Sequence, residues 1–156
     1  PIGKGKHTTC EELVASALGQ KHRGLTTSNL TAIGHLMNQM GELSLDERLR
    51  RRCVECSRDH HGEESAEYAT CLNNLATLFK EQVRFFSHFL SITRPVMEDF
   101  LSILGQDEEA EVLIRQALDI DRKAHGEEHP DVAGDLDMLA SILQAQVRHC
   151  LPHFAT

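Results

Sequence analysis

A sequence repeat with an offset of 64 residues is the feature that most constrains this chain. The string His-Gly-Glu-Glu occurs at 61–64 and again, identically, at 125–128. Small units of this kind cannot bury their own apolar faces, so a fold of stacked repeats is expected. The same offset pairs apolar residues on both sides of the string: Leu49 with Leu113, Leu72 with Leu136, Leu75 with Leu139, and Ala76 with Ala140.

A second offset, of 42 residues, carries the segment 30–36 onto 72–78. The two offsets differ by 22 residues, and the difference disappears if residues 83–104 are an insertion in a 42-residue unit. The expected organisation has five parts: a partial preceding repeat and its turn at 1–25, repeat 1 at 26–64, repeat 2 at 65–128 with its insertion, the first helix of repeat 3 at 129–146, and a non-repeat tail at 147–156.

Each complete unit has the apolar periodicity of two helices. In the first helix, Leu72, Leu75, Ala76 and Phe79 follow the i, i+3, i+4, i+7 spacing of one helical face. Aromatic residues make up only 4% of the chain and Trp is absent, which disfavours a β-sandwich core. The second helix, which the turn at Gly126 is expected to end, has a similar apolar set: Ala110, Leu113, Ile114, Ala117, Leu118 and Ile120.

The combined pattern resembles the tetratricopeptide repeat. The motif Leu72-x-x-Leu75-Ala76-x-x-Phe79 carries the first helix of that repeat, and the small residues of the second helix follow at the family spacing once 83–104 is removed. The segments 71–78 and 117–133 are similar to the kinesin light chain type, which has 42-residue repeats and a Gly-x-x-His-Pro turn. The resemblance covers residues 10–146 and implies an all-α fold, an α-solenoid of antiparallel helix pairs with a 22-residue insertion in the middle repeat.

The same resemblance implies a function in protein–protein interaction, as a scaffold or adaptor. First helices line the concave groove of such an array, where an extended peptide binds, and neighbouring repeats of a longer array continue that groove. The groove residues expected from this placement are Thr31, His35, Asn38, Asn73, Asn74, Thr77, Lys80, Glu81, Asp137, Ser141 and Gln144.

Asn74 is the most specific of these candidates. In related repeats an Asn at this position holds a peptide backbone, because its amide can donate and accept hydrogen bonds at once. The competing interpretation is that the whole set is an ordinary solvated polar face.

Composition and motifs disfavour several other functions. Sixteen Lys and Arg against twenty-four Asp and Glu give a net charge of −8, which disfavours binding to nucleic acid and to anionic membranes. Five Cys, an odd number at irregular spacing, favour a reducing cytoplasmic compartment over a disulfide framework. No Ser/His/Asp order, Gly-rich phosphate loop or paired-carboxylate cleft emerges from the repeat, so no enzyme activity and no cofactor are expected.

One alternative function rests on Cys53, Cys56 and His60, which together suggest a helical zinc-binding or redox module. Cys56 and His60 share a helix face by their i, i+4 spacing, and thiolate and imidazole are zinc ligands. The repeat opposes this reading, because Cys53 aligns with Ala117 of the core. A further alternative is a structural fragment that binds nothing.

The segment 83–104 also allows two interpretations. As a genuine insertion it would form an extra helix that begins near Pro95 and stops at Gly105. Alternatively it is translated intron, because Gln-Val-Arg, which a splice-donor sequence can encode, occurs at 82–84 and again at 146–148, where the repeat pattern is lost each time.

One basic cluster stands out in this acidic chain, at residues 48–58. It could contact an acidic partner, or it could be a solvated face on which each arginine pairs with a neighbouring carboxylate, the commoner outcome. The cluster consists of Arg48, Arg50, Arg51, Arg52 and Arg58.

Overall fold

The structure of the chain is a computed structural model that describes residues 14, 15, 27–90 and 97–150. These residues are helical apart from short turns, and no strand occurs among them, which confirms the all-α, tetratricopeptide-like fold. Besides the helical pair Val14 and Ala15, they form five helices: α1 Thr27–Gln39, α2 Leu43–His61, α3 Ala66–Leu90, α4 Met97–His125 and α5 Pro130–Cys150.

Some expectations fall outside the described residues. They are most of the partial repeat at 1–25, the helix start at Pro95, and the last part of the tail at 151–156. Within the described residues, α5 continues to Cys150 and so enters the segment expected as tail.

The chain divides into two compact units after Cys56. Unit 1 contains α1 and residues 43–56 of α2, and unit 2 contains the remainder of α2 together with α3, α4 and α5. Unit 1 is small, and its core is made by a few apolar side chains: Val14, Leu30, Met37, Leu45, Leu49 and Cys53.

In unit 2 the central helix is α4, which packs against α3 and, less extensively, against α5. The stripe predicted on α3 is buried as expected, and a second, neighbouring stripe is buried beside it. α4 buries every residue of its predicted apolar set except Leu113, which is half-buried. The first α3 stripe contains three of the four predicted residues and consists of Ala69, Leu72, Ala76, Phe79 and Val83. The second contains the fourth, Leu75, and consists of Tyr68, Cys71, Leu75, Leu78 and Gln82.

Two turns that lie 64 residues apart have the same backbone structure. Gly62 and Gly126 adopt φ angles of 87° and 86°, in the left-handed region where only glycine is unstrained. Each glycine N–H donates to the carbonyl four residues earlier, of Arg58 and Arg122, at 3.0 Å in both cases. The 64-residue offset therefore extends to the hydrogen bonds that end α2 and α4.

The helices that follow these turns are capped by different side chains at the same position. The Ser65 hydroxyl accepts a hydrogen bond from the N–H of Tyr68 at 3.1 Å, at the start of α3. His129 Nδ1 accepts from the N–H of Asp131 at 3.3 Å, at the start of α5. Ser65-Ala66 in the middle turn therefore replaces His-Pro with a different capping side chain, and the helix that follows is still capped.

The expectation that Gly105 stops a helix is wrong, because α4 runs uninterrupted from Met97 to His125. Gly41, which the 64-residue offset pairs with Gly105, does end α1, with a φ of 81°. One interior glycine costs only about 1 kcal/mol relative to alanine, so the continuous helix persists.

This geometry predicts opposite effects of alanine at two glycines. Gly105→Ala should raise the free energy of unfolding by about 0.5–1 kcal/mol, because an added Cβ meets nothing within 4 Å and the residue is helical. Gly126→Ala should lower it by about 1–2 kcal/mol, because alanine is strained at positive φ. Urea unfolding followed by circular dichroism measures both, and a destabilising Gly105→Ala would contradict the continuous helix.

Candidate functional site

The first helices of two successive repeats, α3 and α5, are joined by polar contacts. Asn73 on α3 donates a hydrogen bond from Nδ2 to Oδ1 of Asp135 on α5. Further along α3, the ammonium group of Lys80 lies 3.6 Å from the sulfur of Met138. Both α3 residues were predicted groove residues, and their side chains are engaged by α5.

The other predicted α3 residues differ in their surroundings. Thr77 is half-buried, and its hydroxyl donates back to the carbonyl of Asn73 at 2.9 Å. Glu81 is exposed, and Asn74 is half-buried next to Asn73. Asn74 and Glu81 lie two helical turns apart on one side of α3, each next in sequence to a residue that contacts α5.

On α5 the predicted residues lie one helical turn apart. Asp137 and Gln144 are exposed, and Ser141, between them, donates from its hydroxyl to the Asp137 carbonyl at 2.9 Å. We call the five residues Asn74, Glu81, Asp137, Ser141 and Gln144 the unit 2 polar row.

The predicted residues of unit 1 lie on α1. His35 is exposed, whereas the Thr31 hydroxyl donates to the carbonyl of Thr27 at 2.8 Å. Asn38 donates from Nδ2 to Oδ2 of Asp46 at 3.2 Å. Two of these three side chains are thus engaged within unit 1.

Asp46 and Arg50 form a buried ion pair that the apolar pattern did not predict. The guanidinium donates from Nε to Oδ1 at 2.8 Å and from a terminal nitrogen to Oδ2 at 3.0 Å. Gly34 of α1 lies directly against the carboxylate, since a Cβ at that position would be 2.5 Å from Asp46 Oδ1. The 64-residue offset places Ala110 and Ile114 at the corresponding positions of repeat 2.

Asp135 is a second buried carboxylate that was not predicted, and it belongs to the contact between α3 and α5. Burial, followed by the charge of Asp121, raises the pKa of Asp135 to about 6, and the hydrogen bond from Asn73 offsets part of this increase. Its Oδ2 has no hydrogen-bond partner among the described residues. The site therefore favours the protonated carboxyl. The sequence does contain a sign that Asp135 is unusual: the 64-residue offset aligns this carboxylate with Cys71, an apolar residue that is buried in repeat 2.

The turn before α5 brings two imidazoles together. The rings of His125 and His129 stack with centroids 4.3 Å apart, and Nδ1 of His125 lies 3.7 Å from an oxygen of Asp121. With Asp131 they place three possible metal-donor atoms within 4.8 Å of one another. The cap that His129 provides already accounts for its position at this turn.

Cys53, Cys56 and His60 are not brought together into a ligand set in the part of the chain that the structure describes. Cys53 is buried, as its alignment with Ala117 predicts, and its thiol lies 3.7 Å from the Thr27 carbonyl. Cys56 is half-buried and His60 is exposed. The contacts therefore give the zinc or redox alternative no support.

The arginine cluster is largely paired with carboxylates of its own helix. Arg51 contacts Glu47 at 2.9 Å, Arg52 contacts Glu55 at 2.7 Å, and Arg58 lies 3.7 Å from Asp59. Arg50 lies in the core with Asp46. These contacts agree with the interpretation in which the arginines pair with neighbouring carboxylates.

Comparison with known families adds one match. The model of the tetratricopeptide repeat matches residues 99–131, which comprise most of α4, the turn at Gly126 and the first residues of α5. The chain carries a tetratricopeptide-type repeat. No curated protein sequence matches the chain.

The matched residues include Gly105. Among the described residues, no helix combines the length and the apolar character that are needed to cross a membrane.

The raised pKa of Asp135 predicts a pH dependence of stability. Its folded-state value of about 6 lies above the ordinary 3.8, so the folded protein binds this proton more tightly than the unfolded chain does. The contribution is fully present below pH 3.8 and is lost as pH rises through 6, a total on the order of 3 kcal/mol.

Asp135→Asn should flatten this decrease between pH 4 and pH 7, because the amide mimics the protonated carboxyl. Part of the slope will remain, since burial also raises the pKa of Asp121. Asp137→Asn, on the exposed side of α5, is the control. Urea unfolding at several pH values measures the slope, and an equal slope in wild type and Asp135→Asn would contradict the assignment.

The Asp46–Arg50 pair predicts that three positions depend on one another. Gly34→Ala should cost about 1–3 kcal/mol through overpacking, and Asp46→Ala about 3–5 kcal/mol, because Arg50 is then left buried without its carboxylate. A triple variant that introduces the residues of repeat 2 should recover most of the stability that the single variants lose. It combines Gly34→Ala, Asp46→Ala and Arg50→Ile. Additive losses in the triple variant, measured by urea unfolding, would refute the coupling.

Proposed function

We propose that this protein is a protein-interaction module, without enzyme activity, that binds an extended peptide along the first helices of its repeats. The observation that carries the proposal is the lateral contact between α3 and α5, made by Asn73 with Asp135 and by Lys80 with Met138. This contact leaves the unit 2 polar row beside it. Tetratricopeptide-type repeats mediate protein–protein interactions, in agreement with this role.

We further propose that the repeat is of the kinesin light chain type, with 42-residue units, and that the protein acts as a scaffold or adaptor. Support comes from the two turns with left-handed glycines at 62 and 126, which have equivalent hydrogen bonds. Residues 126–130 also carry the Gly-x-x-His-Pro sequence of that type.

The row supplies both amide and charged groups to a peptide. The amides of Asn74 and Gln144 can each donate to a peptide carbonyl and accept from a peptide N–H. Glu81 and Asp137 are exposed acidic groups in the same row, so a peptide with Lys or Arg side chains is favoured. The partner is therefore a protein segment of positive charge.

The cytoplasm is the proposed compartment for this binding. Cys53, Cys56 and Cys71 are not in disulfides, as expected for thiols in a reducing environment.

The experiment begins with selection of 12-residue peptides from a displayed random library against the full chain. The best binder is then measured by fluorescence anisotropy. Asn74→Ala should weaken its binding by about 0.5–1.5 kcal/mol, the net value of one hydrogen-bonding group, in a variant that circular dichroism shows to be folded. Asp119→Ala, an exposed change on the second helix α4, should leave the affinity unchanged.

Two results would contradict the proposal. One is a selection in which no peptide is enriched. The other is an affinity that stays the same in Asn74→Ala and in Gln144→Ala while both variants remain folded.

A further inference from the structure

The turn between α4 and α5 gathers donor atoms of the kind that bind metal ions. His125 is the last residue of α4, His129 lies immediately before α5, and Asp131 lies in the first turn of α5. Each side chain supplies one nitrogen or oxygen donor, and the three donor atoms lie within 4.8 Å of one another. The two imidazole rings stack with their centroids 4.3 Å apart. We call these three residues the His–His–Asp cluster.

Local roles explain each of these residues singly. His129 caps α5. His125 lies at a helix C-terminus and Asp131 at a helix N-terminus, where the helix dipoles favour a basic and an acidic group. None of these roles requires the two imidazoles and the carboxylate to meet. Their convergence is therefore a separate feature of this turn.

Each imidazole of the cluster has a carboxylate beside it. Nδ1 of His129 lies 3.5 Å from an oxygen of Asp131, and Nδ1 of His125 lies 3.7 Å from an oxygen of Asp121, which is buried. In metal sites, a carboxylate next to a ligating imidazole fixes the orientation of the ring. Asp121 is therefore suited to position His125, while the exposed Asp131 can act as an oxygen ligand.

The distances fit a tetrahedral ion after one small movement. Metal–ligand bonds of about 2.0–2.2 Å separate the donor atoms of a tetrahedral site by about 3.3–3.6 Å. The 3.5 Å between His129 and Asp131 already lies in this range. A third donor that is at most 4.8 Å away has to approach by no more than about 1.5 Å. His125 is exposed, so its ring can turn out of the stack and bring a nitrogen to the ion.

The helix cap is the one contact that metal binding displaces. The lone pair on Nδ1 of His129 accepts a hydrogen bond from the N–H of Asp131 at 3.3 Å, and an ion would take that lone pair. Because Asp131 is exposed, water can accept from its N–H instead.

The charges around the cluster favour a cation. Asp121 and Asp131 repel each other, and a cation bound at the cluster reduces this repulsion. Arg122, on the same stretch of α4, contacts Glu127 at 3.0 Å. Its charge is therefore balanced by a carboxylate outside the cluster.

The equivalent turn before α3 has the same backbone and a different set of side chains. Gly62 and Gly126 have nearly identical φ angles, yet no group of possible metal ligands occurs at the turn of Gly62 among the residues that the structure describes. The cluster therefore comes from side chains that are specific to the second turn. The 64-residue offset aligns Asp121, His125, His129 and Asp131 with Ser57, His61, Ser65 and Glu67.

We propose that the His–His–Asp cluster binds one divalent metal ion of the zinc type. His125, His129 and Asp131 are its protein ligands, and water takes the fourth place. Two imidazole nitrogens and one carboxylate oxygen form a known type of zinc site, whereas calcium and magnesium prefer oxygen ligands alone. The bound ion joins the end of α4 to the start of α5. The site uses no residue of the proposed peptide groove, so either function can fail without the other.

The test is a calorimetric titration of the full chain with zinc at neutral pH, after treatment with a chelator and its removal. One ion per chain is expected, with a dissociation constant below about 100 µM. Cobalt(II), a coloured replacement for zinc, identifies the ligand type. Its complex should show visible bands and no thiolate-to-metal charge-transfer band in the near ultraviolet, because the cluster contains no cysteine.

Two variants and a matched control locate the ion. His125→Ala should weaken zinc binding at least about tenfold, because loss of a group that only orients a ligand already costs about 10–100-fold. His129→Ser should weaken it to a similar extent and keep a helix cap, since Ser65 caps α3 in the other turn. The control, His61→Ala, changes the exposed histidine that aligns with His125 and should leave the affinity unchanged.

Three outcomes would overturn the inference. The first is no saturable binding at zinc concentrations up to about 1 mM. The second is equal affinity in wild type, His125→Ala and His129→Ser, because zinc would then bind elsewhere. The third is a thiolate band in the complex with one equivalent of cobalt, because the ion would then be held by cysteine. Circular dichroism checks that each variant is folded, and if one of the two cluster variants is not, the other decides the result.

Discussion

The burial of α3 along two neighbouring stripes is the interaction on which unit 2 depends. A helix buried along so wide a face must have partners on more than one side. Full burial of a side chain such as Phe79 or Leu72 contributes about 1.5–3 kcal/mol, so these partners are strongly favoured over water. The position of α4 follows from this requirement.

Apolar burial by itself does not align α3 and α5, because the hydrophobic effect has no preferred direction. The hydrogen bond from Asn73 to Asp135 supplies a directional contact between them. It also places a carboxyl group where repeat 2 has Cys71, and the resulting desolvation is relieved when Asp135 holds a proton. Folding is therefore less favourable at neutral pH than in mild acid, although the hydrogen bond from Asn73 itself favours the ionised carboxylate.

The 64-residue offset predicted the most regular features of the fold. Leu72, Ala76 and Phe79 are buried as their spacing indicates, because helical periodicity reports directly on which face meets the core. The helix end predicted at Gly105 is wrong, since a glycine that ends one helix can lie inside another. Hydrophobic periodicity therefore located the helices better than it located their ends.

The candidate site was predicted less completely than the fold. Periodicity selects the polar face of a first helix, but it does not say which polar groups on that face are used by the neighbouring helix. Asn73 and Lys80 contact α5, and Asn38 contacts Asp46. Only tertiary contacts distinguish such groups from the exposed Gln144, which has a similar position on its helix.

The contact between Gly34 and Asp46 restricts how repeat 1 can change over time. A methyl group at position 34 would clash with the Asp46 carboxylate. Loss of that carboxylate would leave the guanidinium of Arg50 buried without its ion-pair partner, and loss of Arg50 would do the same to the carboxylate. Every route of single substitutions to the Ala, Ala and Ile of repeat 2 therefore begins with a less stable protein. The Gly, Asp and Arg of repeat 1 and the Ala, Ala and Ile of repeat 2 are thus two stable combinations that are connected only through less stable intermediates. Selection for stability therefore keeps repeat 1 at its present combination.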